Sequence, residues 1–540
     1  MPLWHQPLSP AHGMALSAVV AAVPLAVVLV LMGWLRKPGY ISAASGLLSS
    51  LVLACAVWHM PVGLALWSAG YGLVYALWPI MWIVFTALWL YNLAVDTGKF
   101  DLLRRWMEDH ASGDMRIQAI MVAFCFGALL EGTAGFGAPV AVAAFLLVAL
   151  GFSSRRAVTL SLIANTAPVA FGALGIPIVA LAGVTGLDQG KLSAMVGRQL
   201  PFMSFLIPAY LVVVLAGRKG LRDAWPAALV AGGSFALVQF SVSNYWGPYA
   251  VDVLASLASI VALTIFLRFW RPRGPDGHPG GDRGGEGVRG LDPAARLSFG
   301  ESVAAWAPWI LLAVVMVVWS ACELFQKFQL SIQVPHLHNA VFITLYGKPY
   351  AAIYAFQPLA AGTAGLVATL LSAIVLRAGP RALLHSGWTT LRQLLLPGLT
   401  VMLIVALAYT YNYSGMAYTL GAALAGLGAF FPFASSYLGW TACFLSGSDT
   451  ASNLLFGNLQ VAAAHQVGVS PILLAATNSS GAVAGKMISP QNIAVGVTTV
   501  GLAGQEGQVL RDTFWHSALF AALVGVLALL QAHFLGWMVP

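Results

Sequence analysis

Residues 444–496 have the sequence FLSGSDTASNLLFGNLQVAAAHQVGVSPILLAATNSSGAVAGKMISPQNIAVG. The segment is apolar enough to lie in a membrane, but charged, hydroxyl and amide side chains interrupt it, with Gly or Pro at the breaks. A charged side chain at the centre of a bilayer costs about 3 kcal/mol on insertion scales, so it usually faces a partner, a cavity or a ligand. We therefore interpret the segment as a candidate site inside a membrane. The polar residues behind this interpretation are Ser446, Ser448, Asp449, Thr450, Asn453, Asn478, Ser479, Ser480, Lys486, Gln491 and Asn492.

The composition of the whole chain indicates an integral membrane protein. Of its 540 residues, 59% are hydrophobic and 8% are charged, whereas a soluble domain has about 25% charged residues. Long apolar runs recur along the chain, and about 20 helical residues cross a hydrocarbon core of about 30 Å. The net charge is +8, but the basic residues form short clusters between apolar runs, as the positive-inside rule predicts, so we expect no nucleic-acid partner. The four cysteines lack CxxC spacing, and we predict no disulfide, metal site or cofactor.

The basic clusters predict a first hairpin. Basic residues at 36–37, 116 and 155–156 are expected in the cytoplasm, which places the N-terminus outside. Between the last two clusters the chain therefore crosses the membrane an even number of times or not at all. The sequence EGTAGFGAP at 131–139 leaves arms of roughly 14 residues, or about 21 Å of helix, which is too short for two spans. We predict a re-entrant hairpin over about residues 117–152, which requires protein or water around its tip.

A second hairpin is predicted over about residues 433–467, and it enters from the opposite face. Each hairpin is followed by a helix that Asn, Gly and Pro interrupt, at residues 157–187 and 472–499. The positions that align between these two helices are Asn165 with Asn478, Gly172 with Gly485, and Pro177 with Pro490. Inverted repeats whose broken helices meet at mid-membrane are typical of secondary transporters.

The predicted fold class is an all-α polytopic membrane protein with about 12 transmembrane helices plus two re-entrant hairpins, in two inverted-topology repeats with broken helices. The two halves are residues 1–270 and 299–540, each with six spans and one hairpin. A cytoplasmic Gly/Pro-rich linker, residues 271–298, joins them. Both termini are expected outside.

Three charged residues are the candidates for chemistry. Glu131 and Asp449 lie at the two hairpin tips, where each either caps a short helix or accepts a proton, since burial disfavours the charged carboxylate. Lys486 either extends its amine to the membrane interface or pairs with one of these carboxylates or with a substrate carboxylate. We expect Glu131 to carry the proton, because its neighbours are apolar or glycine, and Asp449 to pair with Lys486.

Hydroxyl and amide residues are the candidates for substrate binding. At the helix breaks they either satisfy backbone groups freed by the kinks or form a polar cup in which helix N-termini attract an anion. The predicted substrate-binding residues are Lys486, Asn165, Thr166, Ser446, Ser448, Thr450, Asn453, Asn478, Ser479, Ser480 and Gln491. Other acidic residues near span ends, Asp252 among them, are expected to be solvated.

Other classes of function remain as alternatives. The sequence contains neither HExxH nor GxSxG, and an intramembrane aspartyl protease needs a second catalytic Asp beside Asp449. A channel fits the hydrophobicity but not the two inverted hairpins. A sodium-coupled carrier of another small organic anion stays open, because half-helix carbonyls also bind Na⁺.

The chain resembles the bacterial lactate permease family of 2-hydroxy monocarboxylate transporters over nearly its whole length. The motifs that carry the resemblance are FGALLEGTAGFGAPVA at 126–141, NTAPVAFGALGIPI at 165–178, VGRQLPFM at 196–203, NYSG at 412–415, SGSDTASN at 446–453 and GKMISPQNIA at 485–494. The resemblance implies a non-enzymatic importer of lactate and glycolate in the bacterial inner membrane, coupled to protons. Its implied partners are the carboxylate substrate, the proton and the lipid bilayer.

Overall fold

The computed structural model describes residues 3–110, 113–135, 137–272 and 297–540. Helices make up most of these residues and many are apolar, so the predicted all-α polytopic fold is confirmed. Most of the predicted linker, residues 273–296, lies outside the described residues.

Twenty-two α-helices follow one another along the described residues. In the N-terminal part they are α1 (Met14–Leu29), α2 (Gly39–Ala56), α3 (Val62–Tyr75), α4 (Trp82–Asp96), α5 (Lys99–His110), α6 (Met115–Gln118), α7 (Gly127–Thr133), α8 (Ala138–Ala149), α9 (Ser154–Ala164), α10 (Gly172–Thr185), α11 (Gln189–Val196), α12 (Leu200–Tyr245) and α13 (Val251–Phe269). In the C-terminal part they are α14 (Phe299–Ala321), α15 (Ala361–Val375), α16 (Pro380–Ser414), α17 (Met416–Leu424), α18 (Phe431–Ser446), α19 (Asp449–Val467), α20 (Pro471–Lys486), α21 (Pro490–Thr499) and α22 (Glu506–His533).

Tighter and wider helical turns connect or extend several of these helices. The π-helical segments are Val30–Trp34, Ala76–Met81 and Ala119–Phe126. The 3₁₀ segments are Val169–Phe171, Leu324–Gln326, Ala425–Phe430 and Gly536–Met538.

Ten helical stretches of the described residues are long and apolar enough to cross a membrane, or up to eleven if the bent pair α9–α10 is one span. The sequence predicted about twelve. The stretch Gln189–Tyr245 is counted as one although it holds two predicted spans. These two spans are the arms of α12, which a non-helical break at Gly217 (φ +68°) separates. Ser204 Oγ donates to Gln239 Oε1 at 2.7 Å, so the two arms of α12 are antiparallel. In addition, α15 has only 15 residues.

The two predicted hairpins are present as helix pairs. Hairpin 1 runs through the stretch Met115–Thr133 and returns as α8; its first arm has 19 residues, longer than the sequence suggested. The apolar window of that arm is 100% buried, against 28–56% in the other nine stretches. Hairpin 2 consists of α18 and α19, joined at Gly447 (φ +71°). Complete enclosure by protein is what a re-entrant segment requires, so hairpin 1 fits the predicted architecture.

The hairpins open toward opposite ends of the molecule. The base of hairpin 1 lies at the turn of α12, where Arg116 Nη1 is 3.5 Å from Asp223 Oδ2. The base of hairpin 2 lies at the other end, where the ring of His465 packs on Tyr346 with centroids 4.6 Å apart. Tyr346 belongs to the segment that follows α14, and Ser320 of α14 bonds the backbone just beyond the C-terminal end of α12. This arrangement supports the inverted relation of the two hairpins.

Short strands cover the end at which hairpin 2 opens. They are β1 (Trp4–His5), β2 (Leu330–Gln333), β3 (Val341–Ile343), β4 (Lys348–Pro349) and β5 (Ile353–Phe356). The N-terminal strand β1 pairs in parallel with β3, while β3–β4 and β2–β5 are antiparallel. The N-terminus and the segment between α14 and α15 therefore lie at the same end of the molecule.

Candidate functional site

A small cavity lies where the tips of both hairpins meet the breaks of both interrupted helices. Its volume is about 60 Å³. Its lining residues are Glu131, Gly135, Val169, Gly172, Ala173, Ile176, Pro177, Gly447, Ser448, Asp449 and Lys486. The structure thus brings together the three charged residues singled out in the sequence.

Several residues around the cavity have positive φ angles, which residues other than glycine rarely adopt. Gly135 (φ +57°) and Gly447 (φ +71°) turn the two tips in the left-handed region, where glycine pays no steric penalty. Ala173 (φ +44°) and Leu174 (φ +59°) adopt the same region without being glycine, at the break between α9 and α10. Such strained residues cluster at functional sites, so the strain supports a functional role for this break.

Lys486 and Glu131 form a buried ion pair across the cavity. Lys486 Nζ donates to Glu131 Oε1 at 2.6 Å, and the two side chains are 7% and 4% exposed. The other carboxylate oxygen, Oε2, accepts from Asn165 Nδ2 at 2.9 Å. A Cβ atom on Gly172 would lie 2.8 Å from Glu131 Oε1, so glycine there makes room for the carboxylate. The pair connects hairpin 1, the first helix break and the end of α20.

The expected pairing of Lys486 with Asp449 is wrong. Asp449 Oδ2 instead accepts from Ser479 Oγ at 2.8 Å, and Oδ1 has no hydrogen-bond partner among the described residues. The sequence could not decide the pairing, because both carboxylates lie at hairpin tips and only the packing of α20 determines which one Lys486 reaches.

Neither carboxylate serves as a helix cap. At the start of α19 it is Ser448 whose Oγ accepts from the backbone N–H of Ala451 at 3.3 Å, so Asp449 has no capping hydrogen bond to make there. Glu131 lies in the last turn of α7, where the helix dipole disfavours a negative charge. Both buried carboxylates are therefore left for a role in ion pairing, ligand binding or proton transfer.

Amide and hydroxyl groups form a buried layer behind Asp449. Asn453 Nδ2 lies 3.1 Å from both Ser479 Oγ and the carbonyl oxygen of Pro177. Asn478 Nδ2 donates to Asn453 Oδ1 at 3.0 Å. These residues do not line the cavity; they join hairpin 2 to the first helix break and hold the partner of Asp449.

The other predicted binding residues have different environments. Thr166 and Ser446 donate to backbone carbonyls three and four residues earlier, as expected for residues that satisfy a kinked helix. Ser480 Oγ is buried and has no partner among the described residues. Thr450 is half-buried and Gln491 is exposed, and neither lines the cavity.

Asp252 was expected to be solvated, and this expectation is wrong. The residue is 1% exposed and lies against Gly132, where a Cβ atom would be 2.8 Å from Asp252 Cβ. The connection before α13 packs against α10. A Cβ atom on Gly175 would lie 2.6 Å from the carbonyl oxygen of Pro248. An Asp that begins an apolar run gives no signal of such packing.

Sequence reasoning also missed Gln460. Its Nε2 donates to Asn478 Oδ1 at 3.1 Å. A signal was present, because Gln460 follows Asn453 by seven residues and therefore lies on the same face of α19.

The model of one protein family, described as L-lactate permease, matches residues 17–535. The glycolate permease GlcA of Escherichia coli is 44% identical over 99% of both chains. The L-lactate permease of Salmonella typhimurium is 42% identical over 100% of both chains. Among solved structures, the YdaH transporter of Alcanivorax borkumensis is 15% identical with a TM-score of 0.44, over 88% of this chain and 89% of that one.

Proposed function

The chain belongs to the L-lactate permease family, and on this premise we propose that it imports lactate and related 2-hydroxy monocarboxylates such as glycolate by proton symport. The observation that carries the proposal is the buried Lys486–Glu131 pair in a small cavity between two opposed hairpins. We further propose that the protein works in the bacterial inner membrane with both termini outside, as the positive-inside pattern predicts.

The cavity lining suits the chemistry of a small 2-hydroxy acid. Among the described residues, Lys486 is the one cation that lines it and provides the clamp for the substrate carboxylate. Asp449, whose Oδ1 has no hydrogen-bond partner among the described residues, and Ser448 are positioned to bind the 2-hydroxyl group. The apolar wall of Val169 and Ile176 accommodates the methyl group of lactate, and glycolate, which has none, uses the same polar contacts.

Charge balance explains why a proton accompanies the substrate. The Lys486–Glu131 pair is neutral, so an incoming carboxylate adds one negative charge to a buried site. Two carboxylates about 4 Å apart repel by about 4 kcal/mol at an effective dielectric constant of about 20. Protonation of Glu131 removes this repulsion and frees Lys486 for the substrate. Exchange of one carboxylate for another at Lys486 thus couples one proton to one monocarboxylate, and the transported charge is zero.

The size of the cavity implies that the protein must open to load its substrate. A volume of about 60 Å³ is several times smaller than the roughly 300–1,000 Å³ of typical ligand pockets. Lactate has six non-hydrogen atoms and needs more room. We propose that hairpin 1 and hairpin 2 each close the site toward one side of the membrane, and that substrate enters and leaves as they separate in turn.

Uptake of labelled lactate into proteoliposomes tests the proposal. We expect a pH gradient, alkaline inside, to drive accumulation in the absence of sodium, and we expect unlabelled lactate or glycolate inside to support saturable exchange. Accumulation that requires a sodium gradient and ignores pH would replace the proton by sodium. Flux that is not saturable and shows no exchange would indicate a channel instead of a carrier.

A further inference from the structure

Asp252 is a buried acidic residue that has no part in the proposed replacement of Glu131 by the substrate carboxylate at Lys486. It is 1% exposed, and neither Oδ1 nor Oδ2 has a hydrogen-bond partner among the described residues. It is the second residue of α13 and makes no capping hydrogen bond. A charged carboxylate without donors is strongly disfavoured in a protein interior, and this burial favours the neutral acid at Asp252. An apolar side chain would fill the same space without the free-energy cost of burying a polar group that lacks hydrogen bonds.

The surroundings of Asp252 direct its influence toward the cavity. It packs against Gly132, the residue after Glu131, and Glu131 in turn pairs with Lys486. Cys125 of hairpin 1 also packs on α13, but it bonds Ser259, about 10 Å further along the helix. Of the other helices packed against α13, α10 carries no ionisable residue. The charged residues of α12 lie at its central turn, residues 218–223, and that of α14 is Glu301 in its first turn.

The position along α13 places Asp252 on the predicted outer side of Glu131. Arg268 near the other end of α13 is 16 residues away, or about 24 Å along the helix axis. The connection of residues 246–250 that precedes Asp252 lies at the end of the molecule that carries the β-strands. Asp252 thus lies between this end and the ion pair.

The proposed symport requires that protons reach Glu131 from solution by a route other than the cavity that the substrate occupies. The two oxygens of Glu131 are already held by Lys486 and Asn165, and the cavity beside it has a volume of only about 60 Å³. We propose that Asp252 is a second proton site, which receives protons from the outer solution and passes them to Glu131; the inference rests on the proposed proton symport.

In this step the O–H bond of the Asp252 carboxylic acid breaks and an O–H bond forms on the Glu131 carboxylate, through an intervening water molecule, because the two carboxyl groups share no hydrogen bond among the described residues. Asp252 is left as a carboxylate and regains a proton from the outer solution. No other reactant is consumed. Glu131 leaves Lys486 as the neutral acid, and the substrate carboxylate takes its place. Asp252 supplies the proton to Glu131 and does not touch the substrate.

The test compares Asp252→Asn with the wild-type protein in proteoliposomes. We expect Asp252→Asn to keep lactate exchange at equal pH within about twofold, because exchange moves no net proton, and to slow pH-driven uptake at least about tenfold. Asp252→Glu keeps an acid and should accumulate lactate with an altered dependence on external pH. The matched control is Asp188→Asn at the start of α11, an exposed cap that Asn can replace, where both assays should be unchanged.

Each failure has its own signature. Asp252→Asn that accumulates lactate at the wild-type rate overturns the inference, and so does loss of exchange together with accumulation. If Asp252→Asn does not fold, Asp252→Glu decides: a folded Asp252→Glu protein that exchanges lactate without accumulating it contradicts the relay. A wild-type protein that ignores the pH gradient refutes proton symport itself, before any variant is compared.

Discussion

At the scale of single residues, Lys486 and Glu131 form a buried ion pair in which each charge depends on the other. Removal of one partner from a buried ion pair typically costs about 3–5 kcal/mol, because the other charge stays buried without compensation. A transporter of anions can use that property, since the substrate itself replaces the missing partner. The Asn165 contact at 2.9 Å also holds Glu131 by its second oxygen, independently of Lys486.

Replacement of Glu131 by Gln mimics the protonated acid permanently. We expect Glu131→Gln to retain lactate exchange and to lose pH-driven accumulation, because no proton can be gained or released at this position. Exchange and accumulation in proteoliposomes measure the two properties separately. Glu301→Gln is the control, since Glu301 is an exposed capping-box residue where Gln also serves. A Glu131→Gln protein that concentrates lactate against a gradient would exclude Glu131 as the proton carrier.

Replacement of Lys486 by Gln removes the substrate clamp. We expect the half-saturation concentration for lactate to rise at least about 100-fold, the equivalent of about 3 kcal/mol, at unchanged protein abundance. Lys191→Gln, at an exposed position of α11, should leave it unchanged. The double variant Lys486→Gln/Glu131→Gln should be more stable than Lys486→Gln alone, because no charge stays unpaired. Normal lactate affinity in Lys486→Gln would reduce Lys486 to a structural role.

At the scale of elements, hairpin 2 and α20 form one closely packed unit. Cβ atoms added to Gly439, Gly481 and Gly485 would lie 2.0, 2.2 and 2.3 Å from backbone oxygens of the facing helix. Glycines spaced in this way let membrane helices approach at backbone distance. This packing fixes Lys486 at the end of α20 relative to the tip of hairpin 2.

A single methyl group at this interface should therefore be costly. We expect Gly481→Ala to destabilise the protein by about 1–3 kcal/mol, because Ser436 and its backbone carbonyl leave no space for it. The midpoint of thermal unfolding in detergent measures the effect. Gly507→Ala in α22, where a Cβ atom meets nothing within 4 Å, is the control. Equal midpoints for both variants would show that the interface yields without cost.

Sequence patterns predicted the hairpin regions and the helix breaks, but they did not predict which side chains contact one another there. Polar residues, Gly and Pro inside apolar runs predicted both hairpin regions and both helix breaks, because such residues are expensive in a membrane unless they have a function. The partner of Lys486 and the burial of Asp252 depend on how distant helices pack, which no local pattern encodes. The strands β2–β5 were not predicted, because each is only two to four residues long.

At the scale of the whole molecule, the two hairpins give the site its two possible exits. Hairpin 1 opens at the turn of α12 and hairpin 2 opens at the end covered by the strands. If each closes one side, as proposed above, the chain is an alternating-access carrier in which Lys486 exchanges Glu131 for the substrate carboxylate. The orientation of this arrangement in the membrane follows from the basic residues, which are predicted to be cytoplasmic.

Cysteine accessibility tests that orientation. Ser154→Cys lies near the base of hairpin 1 and Gln466→Cys near the base of hairpin 2, in a background where the four native cysteines, of which Cys322 is exposed, are replaced by Ser. We expect a membrane-impermeant thiol reagent to label Gln466→Cys in intact cells and Ser154→Cys only after permeabilisation, because the hairpin bases lie at opposite ends of the molecule. Lactate uptake by the cysteine-free protein is the control for native folding. Labelling of both positions from the same side would contradict the inverted arrangement, and labelling with the two sides exchanged would reverse the predicted orientation of the termini.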